Sequence, residues 1–366
     1  MSVQVSYKKQ TLFGILFICI ALLILECISI IIMDERNSCY QGLSTSKIYN
    51  ESNVDIKKLC NEYKSTISYH VPVKHNLPNQ HSETVNINSV GFRGHEIITD
   101  YENDQYRIFF LGGSSAYGVY STSDQTTIPG YLGEQFENMN IEIINAGVSG
   151  GNSFDETYTI KHKLMDMSPD LFIIYSGWND LGNPIRTEYE EKKIQDDVNL
   201  IILELTKYYK TIEFVKFFER IMIKQFYGEK GKPEESLNNE NIYEKITLWK
   251  NRWNKICEMG NEKEIKTIIL IQPLLGAGEK NLHSWEKHMQ EQYKHTSVVS
   301  HYDNLRNASL ELNKHCELVV DLSHVFDDNT ELIYYDLGHV TDIGNKIIAE
   351  EIYEKIMPIV LEDIQK

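Results

Sequence analysis

Four short stretches of this chain hold residue types that could do acyl chemistry. Leu111-Gly112-Gly113-Ser114-Ser115 puts a serine behind a glycine pair. Glycine permits the sharp turn that leaves the next hydroxyl at a helix start, where N–H groups are free. Asp336 and His339 are three positions apart with Gly338 between them. In a turn, that spacing lets the carboxylate reach Nδ1 of the imidazole and leaves Nε2 to face a hydroxyl. Asn179, in Gly177-Trp178-Asn179-Asp180, offers an amide donor, and Gly150, in the run from Asn145 to Asn152, offers an N–H with no Cβ in the way. Serine hydrolysis needs a hydroxyl, a base, a carboxylate to orient the base, and donors for the oxyanion. Each stretch alone has a plainer use. Serines after strands are mostly turn or cap residues, Asp-x-x-His is common as a capping turn, and Asn179 or Gly150 could be purely structural. Their joint presence makes the chemical case.

A second serine competes. Gly147-Val148-Ser149-Gly150-Gly151 fits Gly-x-Ser-x-Gly, the nucleophile elbow of α/β-hydrolases, and it too follows a strand. On that assignment Ser149 attacks and His339 is again the base. Only one clear strand precedes the strand that leads into Ser149, however, where that fold normally spends several, and Ser114 and Asn179 would be left idle. Ser114 is therefore preferred.

Apolar periodicity supplies the elements that must position these residues. Strands are expected at 107–110, 141–145, 170–175, 266–271 and 317–322, and helices at 124–136, 154–167, 285–313 and 343–356. The alternation implies right-handed βαβ units and a three-layer α/β/α domain with a roughly five-stranded parallel sheet. The polar turns then gather at the carboxyl edge of the sheet, where open α/β sheets hold ligands. Residues 184–262 read as a helical insertion. Apolar residues recur from Val198 to Val215 and again from Ile242 to Ile256, as a lid or as helices beside the sheet. His283, His288, His295 and His301 are spaced five, seven and six apart, which does not put them on one helix face. No metal site is expected. Asn88 to Gly94 reads as a glycine turn with a buried Phe92.

Gly-Gly-Ser, Asn-Ala-Gly-Val-Ser-Gly, Gly-Trp-Asn-Asp and Asp-x-x-His, in that order, resemble the SGNH (GDSL-type) hydrolases, in their Gly-Gly-Ser branch. The likeness runs from about residue 86 to 356. It implies an SGNH-hydrolase, flavodoxin-like fold and makes Ser114 the nucleophile with Asp336–His339 as its base pair. It also implies an oxyanion hole of the Ser114 N–H, the Gly150 N–H and Asn179 Nδ2, with no cofactor. Asn88 to Gly94 is similar to an Asn-x-x-Gly-Phe-Arg segment found upstream in one branch. Gly113 departs from the usual Gly-Asp-Ser, which makes substrate transfer from better-known members unsafe. The expected activity is a serine esterase cleaving O-acyl esters on surface glycans or lipids. An O-acyltransferase with the same residues and a non-catalytic glycan-binding protein are the alternatives.

The 366-residue chain carries a formal charge of −17, which argues against a nucleic-acid partner, since phosphate binding needs a basic surface. Residues 11–33 are almost wholly apolar, interrupted by Glu26, and as a helix would span roughly 34 Å, enough for a bilayer core. Lys8 and Lys9 precede them and Asp34 and Glu35 follow, so residues 1–10 are expected in the cytosol and the rest outside. A cleaved signal peptide is the rival, but no good Ala-x-Ala site follows. On this plan residues 34–85 are a tether and 86–366 the hydrolase domain. Cys39, Cys60, Cys257 and Cys316 then lie in an oxidising compartment with three possible pairings, Cys39–Cys60 being the local one.

Overall fold

A computed structural model describes residues 6–35, 38–46, 48–49, 54–69, 73–97, 105–185 and 239–365. Five strands form the central sheet: β1 (Tyr106–Gly112), β2 (Ile141–Asn145), β3 (Leu171–Ser176), β4 (Lys266–Ile271) and β5 (Leu318–Asp321). All neighbours are parallel, in the order β2-β1-β3-β4-β5, with Phe109 opposite both Ile144 and Phe172. Every residue of β1 and β3 is buried. A parallel sheet is covered on both faces, which is why these strands read as unbroken apolar runs. The order is that of flavodoxin-like sheets, and the chain reverses direction between β1's two neighbours.

The N-terminal helix is α1 (Tyr7–Glu35), and the helices around the sheet are α2 (Ser114–Tyr117), α3 (Ile128–Gln135), α4 (Ser153–His162), α5 (Trp178–Gly182), α6 (Asn239–Asn261), α7 (Ser284–Tyr293), α8 (Ser297–Ser309) and α9 (Asp342–Ile364). Helices α3 and α9 pack on each other beside β2, while α4, α6 and α8 form a second layer that reaches β1 and β4. Right-handed crossovers running in opposite directions from β1 put those layers on opposite faces.

All four expected helices differ in extent: the one expected over 124–136 is shorter, α3 starting at Ile128 after its Thr127 cap, and the one expected over 343–356 runs on as α9 to Ile364. The segment expected as one helix over 285–313 is broken into α7 and α8, because Thr296 adopts an extended conformation and starts a new helix. The segment expected over 154–167 ends as a helix at His162 and continues as a short 3-10 turn, Leu164–Asp166. Of the insertion, residues 186–238 lie outside the described residues. Ile242, Ile246, Trp249, Trp253 and Ile256 all lie on α6 and are buried in the main core. That half of the insertion is thus a helix of the sheet's cover rather than a lid.

Helix α1 belongs to a compact unit of its own with the residues up to Gln41. Its span Tyr7–Ile30 has a mean hydropathy of 2.8, long and apolar enough to cross a membrane. Cys257 on α6 is bonded to Cys316 just before β5, while Cys19 and Cys27 are free. Cys39 and Cys60 are disulfide-bonded as well.

Candidate active site

Strand β1 ends in a turn that only glycine can make. Gly112 has φ +152°, and a Cβ there would lie 2.2 Å from the Tyr175 carbonyl. Ser114 is the first residue of α2, so its N–H has no partner within the helix. At Gly113 a Cβ would lie 2.2 Å from Asn179 Nδ2. The amide of Asn179 therefore fills the space a side chain at 113 would need.

Asp336 and His339 stand on the loop before α9. Asp336 Oδ1 accepts the N–H groups of Gly338 at 3.0 Å and His339 at 2.9 Å, and Tyr335 N–H donates back to the His339 carbonyl at 2.9 Å. Asp336 is thus a capping aspartate and also the partner of the imidazole, with Oδ2 2.8 Å from His339 Nδ1. The other ring nitrogen, Nε2, is 2.7 Å from Ser114 Oγ. Ser115 Oγ donates to the Gly338 carbonyl at 3.0 Å, tying the loop to α2. Behind it, Glu286 is fully buried, paired with Lys280 at 2.8 Å, and accepts the N–H groups of Ile333 and Tyr334 at 3.0 Å. Two polar side chains from α7 and its approach thereby set the path of the chain into Asp336.

The carboxylate and the imidazole shift each other. Burial pushes the Asp336 carboxyl up, but the charge of His339 and the hydrogen bonds from His339 and Gly338 outweigh it and hold it below its ordinary value. Burial disfavours the charged imidazole, yet the Asp336 charge and hydrogen bond leave His339 above its ordinary value. Tyr120 and Trp178 stand edge-to-face with the imidazole at 5.9 Å each, which limits its rotation.

Opposite lies the Gly150 turn after β2. Asn179 Nδ2 donates to the Gly151 carbonyl at 2.6 Å, Gly151 N–H donates to Val148 O at 2.8 Å, and Val148 N–H donates to Gly112 O at 3.0 Å. The three turns after β1, β2 and β3 are thus laced together. Asp180, next to Asn179, accepts the Ser153 N–H at 3.1 Å and the Ser153 hydroxyl. Burial pushes Asp180 up to about 6, against the Ser153 hydrogen bonds and the charge of Arg252. Ser149 is exposed and makes no hydrogen bond among the described residues. The sites expected from sequence, Ser114, Asp336, His339, Gly150 and Asn179, are brought to one edge of the sheet; the competing Ser149 is not joined to His339.

Two further residues shape the site from outside the motifs. Arg93 is buried, its backbone bridging to Asn145, and its guanidinium donates to the carbonyls of Tyr117 at 3.0 Å and Gly118 at 2.7 Å. It caps the far end of the Ser114 helix while Asp124 pairs with it at 2.7 Å. Its signal was present in Gly91-Phe92-Arg93, where an arginine follows a buried phenylalanine. Lys74 donates from Nζ to the Gly150 carbonyl, and nothing in its local sequence announces that.

The pattern of the GDSL-like lipase/acylhydrolase family matches residues 108–352. This chain belongs to that family. As a GDSL-type hydrolase it has the family's sheet, and Arg93 and Lys74 lie upstream of the matched segment. Among curated proteins, none matches the chain. Similar solved structures include an acetyl xylan esterase, AlAXEase, 15% identical, covering 68% of this chain and 99% of its own with a TM-score of 0.39. An acetylxylan esterase from Geobacillus stearothermophilus is 14% identical, covering 69% of this chain and 94% of its own with a TM-score of 0.38.

Proposed function

We propose that this GDSL-type hydrolase cleaves O-acyl esters through an acyl-enzyme on Ser114. One observation carries the proposal: Ser114 Oγ is 2.7 Å from His339 Nε2 while Asp336 holds the other ring nitrogen. His339 takes the hydroxyl proton as Oγ bonds to the acyl carbon. The oxyanion lies against the N–H groups of Ser114 and Gly150 and Nδ2 of Asn179. The tetrahedral adduct collapses, and the alcohol leaves with the proton held on His339. Water then gives a proton to His339 and its oxygen to the acyl carbon, and the acid leaves as Ser114 regains its proton. No step needs a cofactor.

We read α1 as an uncleaved anchor with the preceding lysines in the cytosol, so the domain acts outside the membrane on acylated glycans or lipids. Support comes from the apolar span Tyr7–Ile30 and from Cys257–Cys316, a disulfide of the kind that persists in oxidising compartments. The test is turnover of an activated acetyl ester by the full chain, with Ser114→Ala abolishing it and Ser149→Ala leaving it near normal. Loss in Ser149→Ala with turnover kept in Ser114→Ala would overturn the assignment. Product analysis with a carbohydrate acceptor present separates hydrolysis from acyl transfer.

A further inference from the structure

The Gly150 turn is gripped through two successive carbonyls. Asn179 holds that of Gly151, and the ammonium of Lys74 holds that of Gly150. Gly150 is left-handed, φ +72°, and a Cβ on it would lie 2.9 Å from Lys74 Nζ. The ammonium therefore occupies the side of the turn that the missing side chain leaves open. Lys74 is itself pinned. Its N–H donates to Asp155 Oδ1 at 3.2 Å, and Val73 beside it is fully buried against Phe154 and Tyr158 of α4. Asp155 in turn accepts the Asn152 N–H at 3.3 Å, closing the capping box of α4, whose cap Asn152 lies two residues after Gly150. So residues 73 and 74 are fastened to the helix that follows the turn, and the lysine side chain reaches back across it.

We infer that Lys74 is a positioning residue of the acyl-transfer step, holding the Gly150 carbonyl and with it the left-handed conformation of that residue, so that the Gly150 N–H faces the oxyanion, and setting a positive charge behind that turn. The inference rests on the proposed serine-esterase chemistry. Its physical basis is that preorganised dipoles act where charge develops, so fixing a donor lowers the barrier without tightening ground-state binding. The residue comes from the segment upstream of the family-matched region, so that segment is part of the working site.

The test compares the full chain with Lys74→Met and Lys74→Arg, using an activated acetyl ester and a small alkyl boronic acid that forms a tetrahedral adduct on the serine. A charged hydrogen bond of this kind predicts about a tenfold fall in kcat for Lys74→Met with KM little changed. Boronate affinity should fall by a similar factor, and Lys74→Arg should recover most of both. Wild-type kcat and boronate affinity in Lys74→Met would overturn the inference. So would a loss confined to thermal stability, with kcat normal below the unfolding temperature. Wild-type chain that takes no fluorophosphonate on Ser114 would instead sink the esterase reading, and this inference with it.

Discussion

His339 must be neutral to take a proton from Ser114, so its pairing with Asp336 sets the pH range of the site. Asp336 stabilises the charged imidazole and raises its pKa, and the proton therefore stays on to higher pH. The acid limb of kcat/KM is predicted to have its midpoint above the ordinary histidine value of about 6.5. Asp336→Asn removes that charge: the limb should move to lower pH while kcat falls by roughly 10³–10⁴, as the imidazole loses the partner that fixes its tautomer. An acid limb that stays in place in Asp336→Asn would mean that another group titrates. At this scale the sequence was legible where partners are neighbours in the chain. Asp336 and His339 share one loop, and their spacing fits the pairing. Lys74 and Arg93 were not legible as site residues, because they act on carbonyls 76 and 24–25 positions away and a backbone oxygen leaves no mark in residue type.

Among elements, the turns after β1 and β3 are fitted to each other through Gly113 and Asn179. Asn179→Ala should lower kcat by about 10²–10³, the range for one oxyanion donor, while the protein still folds. Gly113→Ala should have a similar effect for a different reason, since its Cβ would stand 2.2 Å from Asn179 Nδ2 and turn the amide away. The double variant tests this. If both changes remove the same donor, the pair should cost little more than either alone, whereas full additivity of the two losses would separate them. Strands were readable at this scale because a parallel sheet demands unbroken apolar runs, and 266–271 was located to the residue. Helix ends were less readable. Thr296 and the turn at Lys163 stop helices inside stretches whose apolar spacing continues, since a local backbone conformation decides the break.

In the whole molecule, one covalent link joins the second half of the insertion to the sheet. Cys257–Cys316 closes a loop of 59 residues. Chain-entropy reasoning puts its stabilisation at about 4 kcal/mol, so Cys257→Ser with Cys316→Ser should lower the denaturation midpoint by a clearly measurable amount. Equal stability of the reduced and oxidised chain, with both shown folded, would remove that role. Helix α1 makes a second prediction at this scale. The full chain should stay in the membrane pellet through alkaline carbonate extraction, and a chain lacking residues 1–35 should not. Recovery of the full chain in the supernatant would contradict an uncleaved anchor. The apolar span was plain in the sequence, as hydropathy over some twenty residues requires no partner. The cysteine pairing was open among three choices, because α6 and the approach to β5 meet only through the fold.

The most direct measurement is to treat the intact chain with a fluorophosphonate and locate the adduct by peptide mass spectrometry. The geometry of Ser114, His339 and Asp336 predicts one modified residue, Ser114, with labelling lost in His339→Ala. An adduct on Ser149, or a folded chain that takes no label, would contradict it.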